Sequence, residues 1–305
     1  MAARFCVLGS GSSGNASLLE VDGLGLLIDC GFPPHVLAAR LSAVGRSWKS
    51  VSAVLLTHTH GDHWNSYTLE HLRRLNVPLV AHPDHHAMLA ARAEHEPLRR
   101  AGLARPFGNG WFDLAPTLSA LPIRVPHDSE PTFAFRFESR DGAGQSGWAV
   151  GYVSDAGHVT SELTRLLAGV DLLAVEYNHD VAMQRASGRP AILVSRVLGK
   201  NGHLSNAQAA ELTRAVAKSG GPDGLRHLVQ LHLSRDCNTP ELAARAGREA
   251  LAACAPAANL ITSSQFTPTA PVELVSRPGR PPRPAPPAIQ PALPGMETDV
   301  ESSVR

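Results

Sequence analysis

Thr57-His58-Thr59-His60-Gly61-Asp62-His63 decides how this chain is read. The heptapeptide follows the apolar run Val54–Leu56 and precedes a helical pattern over Thr68–Leu75. If extended geometry persists through His60, side chains two positions apart point to the same side, so His58 and His60 converge on one cation. Gly61 then lets the backbone turn and aims Asp62 and His63 at a neighbouring position. Imidazole and carboxylate are the ligands a borderline divalent ion prefers. A surface turn with no function rarely gathers three histidines and an aspartate in six positions at the end of a buried strand.

Two ions need more ligands than this motif supplies. Layered α/β folds collect ligand sites at the C-terminal ends of strands, so acidic and histidine residues ending apolar runs are the candidates. His127-Asp128 follows Ile123–Val125, Asp155 ends Ala149–Ser154, and His232 ends Leu228–Leu231. Each alone reads equally well as a satisfied polar residue at a strand exit. With the His-rich turn they complete a site for two ions. The remaining histidines, among them His35, His71, His82, His85, His86, His95, His158 and His227, read as surface or local packing features.

Around these positions, short β-rich runs alternate with amphipathic helical patterns. Strands are expected at Arg4–Leu8, Ala16–Val21, Leu24–Asp29, Ala53–Thr57 and Leu79–His82, and helices at Pro34–Val44, Thr68–Leu75 and Pro83–Arg100. The second half repeats the scheme. Strands are expected at Thr117–Val125, Thr132–Glu138, Ala149–Ser154, Leu172–Glu176, His227–His232 and Leu260–Ser263. Helices are expected at Ser161–Leu167, Asn206–Lys218 and Pro240–Cys254, with Ser205 and Gln208 forming a capping box. The mixture implies an α/β layered fold with two sheets or one very large one. The folded domain is expected over 1–266. The proline-rich stretch 267–305 has no apolar periodicity and is expected to be a disordered, solvated tail.

The 305 residues are 43% hydrophobic and 18% charged, with a net charge of +1. Such a chain has ample core material and no global field to attract nucleic acid or a membrane. Cys6, Cys30, Cys237 and Cys254 are scattered, without a CxxC pair, which suits a reducing compartment. No apolar stretch approaches the ~20 residues of a spanning helix, so no membrane is expected and the expected address is the cytoplasm. Arg73-Arg74, Arg99-Arg100, and Arg196 with Lys200 read as ordinary solvated charge, although each could supply a phosphate contact.

The His-rich turn and the strand-end candidates resemble the metallo-β-lactamase superfamily from Phe5 to about Phe266. The resemblance implies a four-layer αβ/βα sandwich with the site at the edge between two sheets. It assigns His58, His60 and His127 to one metal, and Asp62, His63 and His232 to the other, with Asp155 bridging. Asp29, in Leu-Leu-Ile-Asp-Cys-Gly, matches the family's first motif and supports the metal-binding loop. Four further motifs resemble the bacterial YycJ/WalJ group, similar in turn to tRNase Z. They are Gly9-Ser10-Gly11-Ser12-Ser13-Gly14-Asn15, Glu176-Tyr177-Asn178-His179-Asp180, Gly202-His203-Leu204-Ser205-Asn206 and His232-Leu233-Ser234-Arg235.

That group implies a cytoplasmic phosphodiesterase, in particular a 5′→3′ DNA exonuclease, with nucleic acid as substrate and DNA favoured over RNA. Two divalent ions, zinc or manganese, would lower the pKa of a shared water into the neutral range. His203 is the candidate proton donor to the leaving oxygen, and Asp62 is counted with it as catalytic. The Gly/Ser loop, with Ser10, Ser12 and Asn15, lacks the lysine of a P-loop and is either a turn or the rim of a substrate pocket. Glu176, Asn178 and His179 either support the ligands or touch the substrate. Two other readings stand beside this one. One is a hydrolase of the same fold acting on small phosphodiesters, on a lactam or on thioesters as glyoxalase II does, although Trp64-Asn65-Ser66 replaces the usual Gly-Gly continuation of the last. The other is a redox or scaffold member of the fold that does not hydrolyse.

Overall fold

Strands that are apolar at nearly every position must be covered on both faces. The computed structural model, which describes residues 3–129, 131–140, 146–221, 224–276 and 284–286, meets that demand with four layers. One sheet is built from β1 (Ala3–Gly9), β2 (Ala16–Val21), β3 (Leu24–Ile28), β4 (Ala53–Leu55), β5 (Leu79–Ala81) and β6 (Ala104–Pro106), in that spatial order. The other contains β7 (Phe112–Ala115), β8 (Leu118–Val125), β9 (Thr132–Arg140), β10 (Ser146–Val153), β11 (Leu172–Glu176), β12 (His227–Leu231) and β13 (Asn259–Thr262), again in spatial order. β14 (Val272–Leu274) returns to the first sheet and pairs antiparallel with β1, Phe5 opposite Val272.

Between the sheets lie Phe5, Val7 and Leu19 from one side and Phe133, Phe135, Trp148 and Tyr152 from the other. The outer face of the first sheet is covered by α1 (Pro34–Ala43), α2 (Ser66–Leu75), α3 (Pro83–Leu89) and α4 (His95–Arg100) through Leu37, Leu41, Leu69, Leu72 and Leu98. α5 (Ser161–Leu166) packs on the second sheet. After it come α6 (Val181–Arg185) and α7 (Ala191–Leu198), then α8 (Asn206–Ser219) and α9 (Pro240–Ala252), which complete the outer layer with Leu212, Val216 and Ala250. The expected αβ/βα sandwich is what the chain forms. Ser205 and Gln208 form the expected capping box at α8. The four cysteines are free thiols. Among the described residues, no helix is long and apolar enough to cross a membrane.

Three expectations need correction. The helix expected over Pro83–Arg100 is two helices, α3 and α4. Pro97 has no N–H for an i→i−4 bond, and its ring would clash inside a continuous helix; it fits only in the first turn of a new one. The short strands β6 and β7 and the helices α6 and α7 were not foreseen in the sequence. Finally, the ordered chain does not end at 266. Val272 and Leu274 are buried, and Thr269 exchanges hydrogen bonds with Val7, because the outer edge of β1 needs a partner. The rest of the expected tail, 277–283 and 287–305, lies outside the described residues. Within 284–286, the Pro284 carbonyl accepts from Trp111 Nε1 at 3.2 Å.

Candidate metal centre

Every ligand candidate leaves the C-terminal end of a strand: His58, His60, Asp62 and His63 after β4, His127 after β8, Asp155 after β10 and His232 after β12. Two sheets that end along one line bring these loops together. His58, His60, His127 and Asp155 offer ligand atoms all within 4.8 Å of one another, as do Asp62, His63 and His232. Asp155 joins the groups: its Oδ2 lies 3.2 Å from His58 Nε2 and 3.0 Å from His63 Nε2, and its Oδ1 lies 2.8 Å from His232 Nδ1. A third group, Asp155, Glu176, His203 and His232, adjoins them.

On three of the candidate rings the outward nitrogen is held by another group. His63 Nδ1 lies 2.7 Å from Asp29 Oδ2, and His127 Nδ1 lies 2.8 Å from the Gly202 carbonyl. His58 Nδ1 faces Thr57 Oγ1 at 3.0 Å. Such partners fix the tautomer that turns the Nε2 lone pair inward. Asp29 also accepts from the Thr57 backbone and hydroxyl, at 2.9 Å each. His58 Nε2 and Asp155 Oδ1, both buried, make no well-directed hydrogen bond although polar atoms lie close by. Donor atoms that converge on a common point, not on one another, suit a cation between them.

The backbone is forced to serve this geometry. Asp29 has φ +61° and His232 φ +51°, left-handed conformations that cost a non-glycine residue about 1–3 kcal/mol. Both are clamped. The Asp29 N–H donates to the Leu55 carbonyl, the His232 N–H to Ser10 Oγ, and Asn178 Nδ2 to the His232 carbonyl. At Gly31, a Cβ would lie 1.8 Å from the Asp62 carbonyl, so only glycine allows the approach that positions Asp62.

The supporting candidates separate by position. Asn15 is buried and donates to Asp62 Oδ2 at 3.1 Å, while accepting from Ser10 Oγ at 2.9 Å. Ser10, Asn15 and Asn178 therefore brace the ligand candidates Asp62 and His232. Ser12 is exposed and lines the open cavity over Asp62, Asp155 and His232. Glu176 is fully buried. Its Oε1 accepts from the Ala156 and Leu204 backbone at 2.7 and 3.1 Å, and its Oε2 lies 3.0 Å from His203 Nδ1. His179 stands apart, its ring buried and its backbone bridged to Ser205, outside the ligand groups. Asp128, at a strand end singled out in the sequence, acts as a link that the sequence did not announce: its carboxylate meets His60 Nε2 at 3.4 Å and pairs with Arg196 of α7.

Asp29, Asp62, Asp155 and Glu176 give the centre a surplus of carboxylates. Burial alone would favour neutral His63, but Asp29, Asp155 and Asp62 outweigh it and lift its pKa to about 10. For His203, burial is likewise outweighed by Glu176 and Asp155, with a pKa of about 9. Burial opposes a charged Asp155, yet His232 and His63 hold it well below the usual carboxylate range. Buried carboxylates and histidines gathered in this way suit divalent cations, which displace the histidine protons on binding.

Residues 25–220 match the family described as the Beta-lactamase superfamily domain. The exodeoxyribonuclease YycJ of Bacillus anthracis is 28% identical over 250 residues, 80% of this chain and 87% of that protein. The exodeoxyribonuclease WalJ of Streptococcus pneumoniae is 26% identical over 247 residues, 79% of this chain and 85% of that one. Among solved structures, the metallo-β-lactamase fold protein YhfI from Bacillus subtilis shares the fold, with a TM-score of 0.61. Its sequence identity is 16%, over 88% of this chain and 99% of that one.

Proposed function

This chain belongs to the β-lactamase superfamily, and from that membership we propose that it is a metal-dependent phosphodiester hydrolase that shortens DNA from the 5′ end. The observation that carries the reading is His203, held by Glu176 beside the two ligand groups that Asp155 adjoins. The relatives YycJ and WalJ, both exodeoxyribonucleases, support DNA as the substrate class.

His58, His60 and His127 would hold one divalent ion and Asp62, His63 and His232 the other, zinc or manganese in each case, with Asp155 between them. When bound, the ions supply an acidified water and positive charge for the phosphoryl oxygens. The protein's own part is positioning and proton transfer. Glu176 takes the Nδ1 side of His203, so the imidazolium presents its Nε2 proton to the cavity, where a leaving alkoxide needs one. Asp62 Oδ2 lies 3.2 Å from His232 Nε2 and is itself held by Asn15.

The test is digestion of end-labelled single- and double-stranded oligonucleotides by the metal-loaded chain, with and without EDTA. Stepwise loss of a 5′ label as mononucleotides or short products, abolished by chelation and weakened by salt, is expected. Turnover limited to small methyl or cyclic phosphodiesters would move the substrate away from nucleic acid, and EDTA-insensitive activity would overturn the metal mechanism.

A further inference from the structure

A second cavity, of about 330 Å³, opens beside the metal centre and shares Ser12, Arg196 and His203 with the cavity that exposes Asp62, Asp155 and His232. Its far wall comes from the α6–α7 segment: Arg189, then Leu193 and Val197, which lie one helical turn apart on α7. α7 is an unusual helix. Most of its residues are aliphatic, yet none is fully buried, and Ile192 is 83% exposed. Two guanidiniums and an aliphatic face thus border one hole that begins at His203. Arg189 meets Asp236 through Nη2, and Arg196 meets Asp128 through Nε. Each planar fork has further N–H groups on its other edges.

The position of His203 gives the cavity a direction. A general acid stands next to the oxygen it protonates, so the leaving group departs past His203, away from the ligand groups. The space beyond His203 is this cavity, and its volume sits at the small end of the roughly 300–1,000 Å³ of small-molecule sites, suited to a single nucleotide. We infer that it is the leaving-group pocket and takes the terminal nucleotide of the strand. Arg189 and Arg196 hold that nucleotide's own 5′-phosphate, and Leu193 and Val197 lie against its sugar and base. The inference rests on the phosphodiesterase reading and deepens it. Water adds to phosphorus as the P–O3′ bond breaks. The bonding pair leaves with the 3′-oxygen, which takes the His203 Nε2 proton; the water's proton goes to solvent, from which His203 is reprotonated. The products are a deoxynucleoside 5′-monophosphate and a strand one unit shorter, whose new 5′ end carries the phosphate that the next cycle needs.

The experiment compares kcat/KM of the metal-loaded full chain on oligodeoxynucleotides that differ only in a 5′-phosphate or a 5′-hydroxyl. A preference of about tenfold or more for the phosphate is expected, on the scale of a charge-assisted pair. Arg189→Ala and Arg196→Ala should each bring the ratio close to one. Leu193→Trp, which fills the cavity, should lower kcat/KM on both substrates. A wild-type ratio near one, or a preference that survives both arginine substitutions, overturns the pocket. If no oligonucleotide is cut, the nucleic-acid reading fails, and the cavity is decided separately by titration with deoxyadenosine 5′-monophosphate and deoxyadenosine. Tighter binding of the monophosphate, lost in Arg189→Ala, upholds a nucleotide pocket, and equal binding of the two overturns it.

Discussion

Glu176 joins three segments with one carboxylate: the loop after Asp155, the loop after His203, and the His203 ring itself. Gly202 helps by packing where a Cβ would lie 2.1 Å from the Val197 carbonyl, so the turn into His203 is tight. If His203 is the proton donor, His203→Ala should retain its metal content and lose about 10²–10⁴-fold in turnover of a DNA strand, the usual worth of positioned proton transfer. On bis-p-nitrophenyl phosphate, whose leaving group needs no proton, the loss should be far smaller. An equal loss on both substrates would make His203 a binding or structural residue. The ligand candidates were legible in the sequence because the chemistry is local: a spaced histidine run, and polar residues where apolar strands stop. The uses of Ser10, Asn15 and Asn178 were not legible. They depend on which loops meet, and the left-handed backbone at Asp29 and His232 has no signature in residue type. The reach of Arg189 to the site was hidden for the same reason.

At the scale of elements, the long strands and capped helices followed from periodicity and turn residues, whereas the short pieces did not. β14 spans only Val272–Leu274, inside a proline-rich stretch, and three residues hold too little alternation to announce a strand. Its stability comes from tertiary pairing with β1. Truncation after Phe266 should therefore destabilise the protein by about 3 kcal/mol or more, since burying one valine or leucine side chain is worth about 1.5–3 kcal/mol. Truncation after Ser276 should shift stability by about 1–2 kcal/mol at most, the scale of the hydrogen bonds that Trp111 and Arg165 give to the Pro284 and Ala285 carbonyls. Denaturant titration of the two truncations decides it; equal stabilities would mean that β14 contributes nothing. α7 was missed for the opposite reason. Its sequence, Ala-Ile-Leu-Val-Ser-Arg-Val-Leu, is rich in β-branched residues, and only its surroundings make it a helix at the cavity rim.

For the whole molecule, the sandwich concentrates buried carboxylates and histidines at one edge, and ions bound there add to stability by mass action. At a free ion concentration about 100 times Kd, the gain is about 2.7 kcal/mol. Exhaustive chelation should accordingly lower the melting temperature, and zinc or manganese should restore it; an unchanged transition would deny that the folded state holds metal. The return of the chain to its own beginning also has a temporal side. β1 lies between β2 and β14, but the residues that cover its outer edge come more than 260 positions after it. At about 5–20 residues per second on the ribosome, that edge waits on the order of ten to fifty seconds for its neighbour. Until β14 has been made, the nascent chain offers an open strand to any other extended segment.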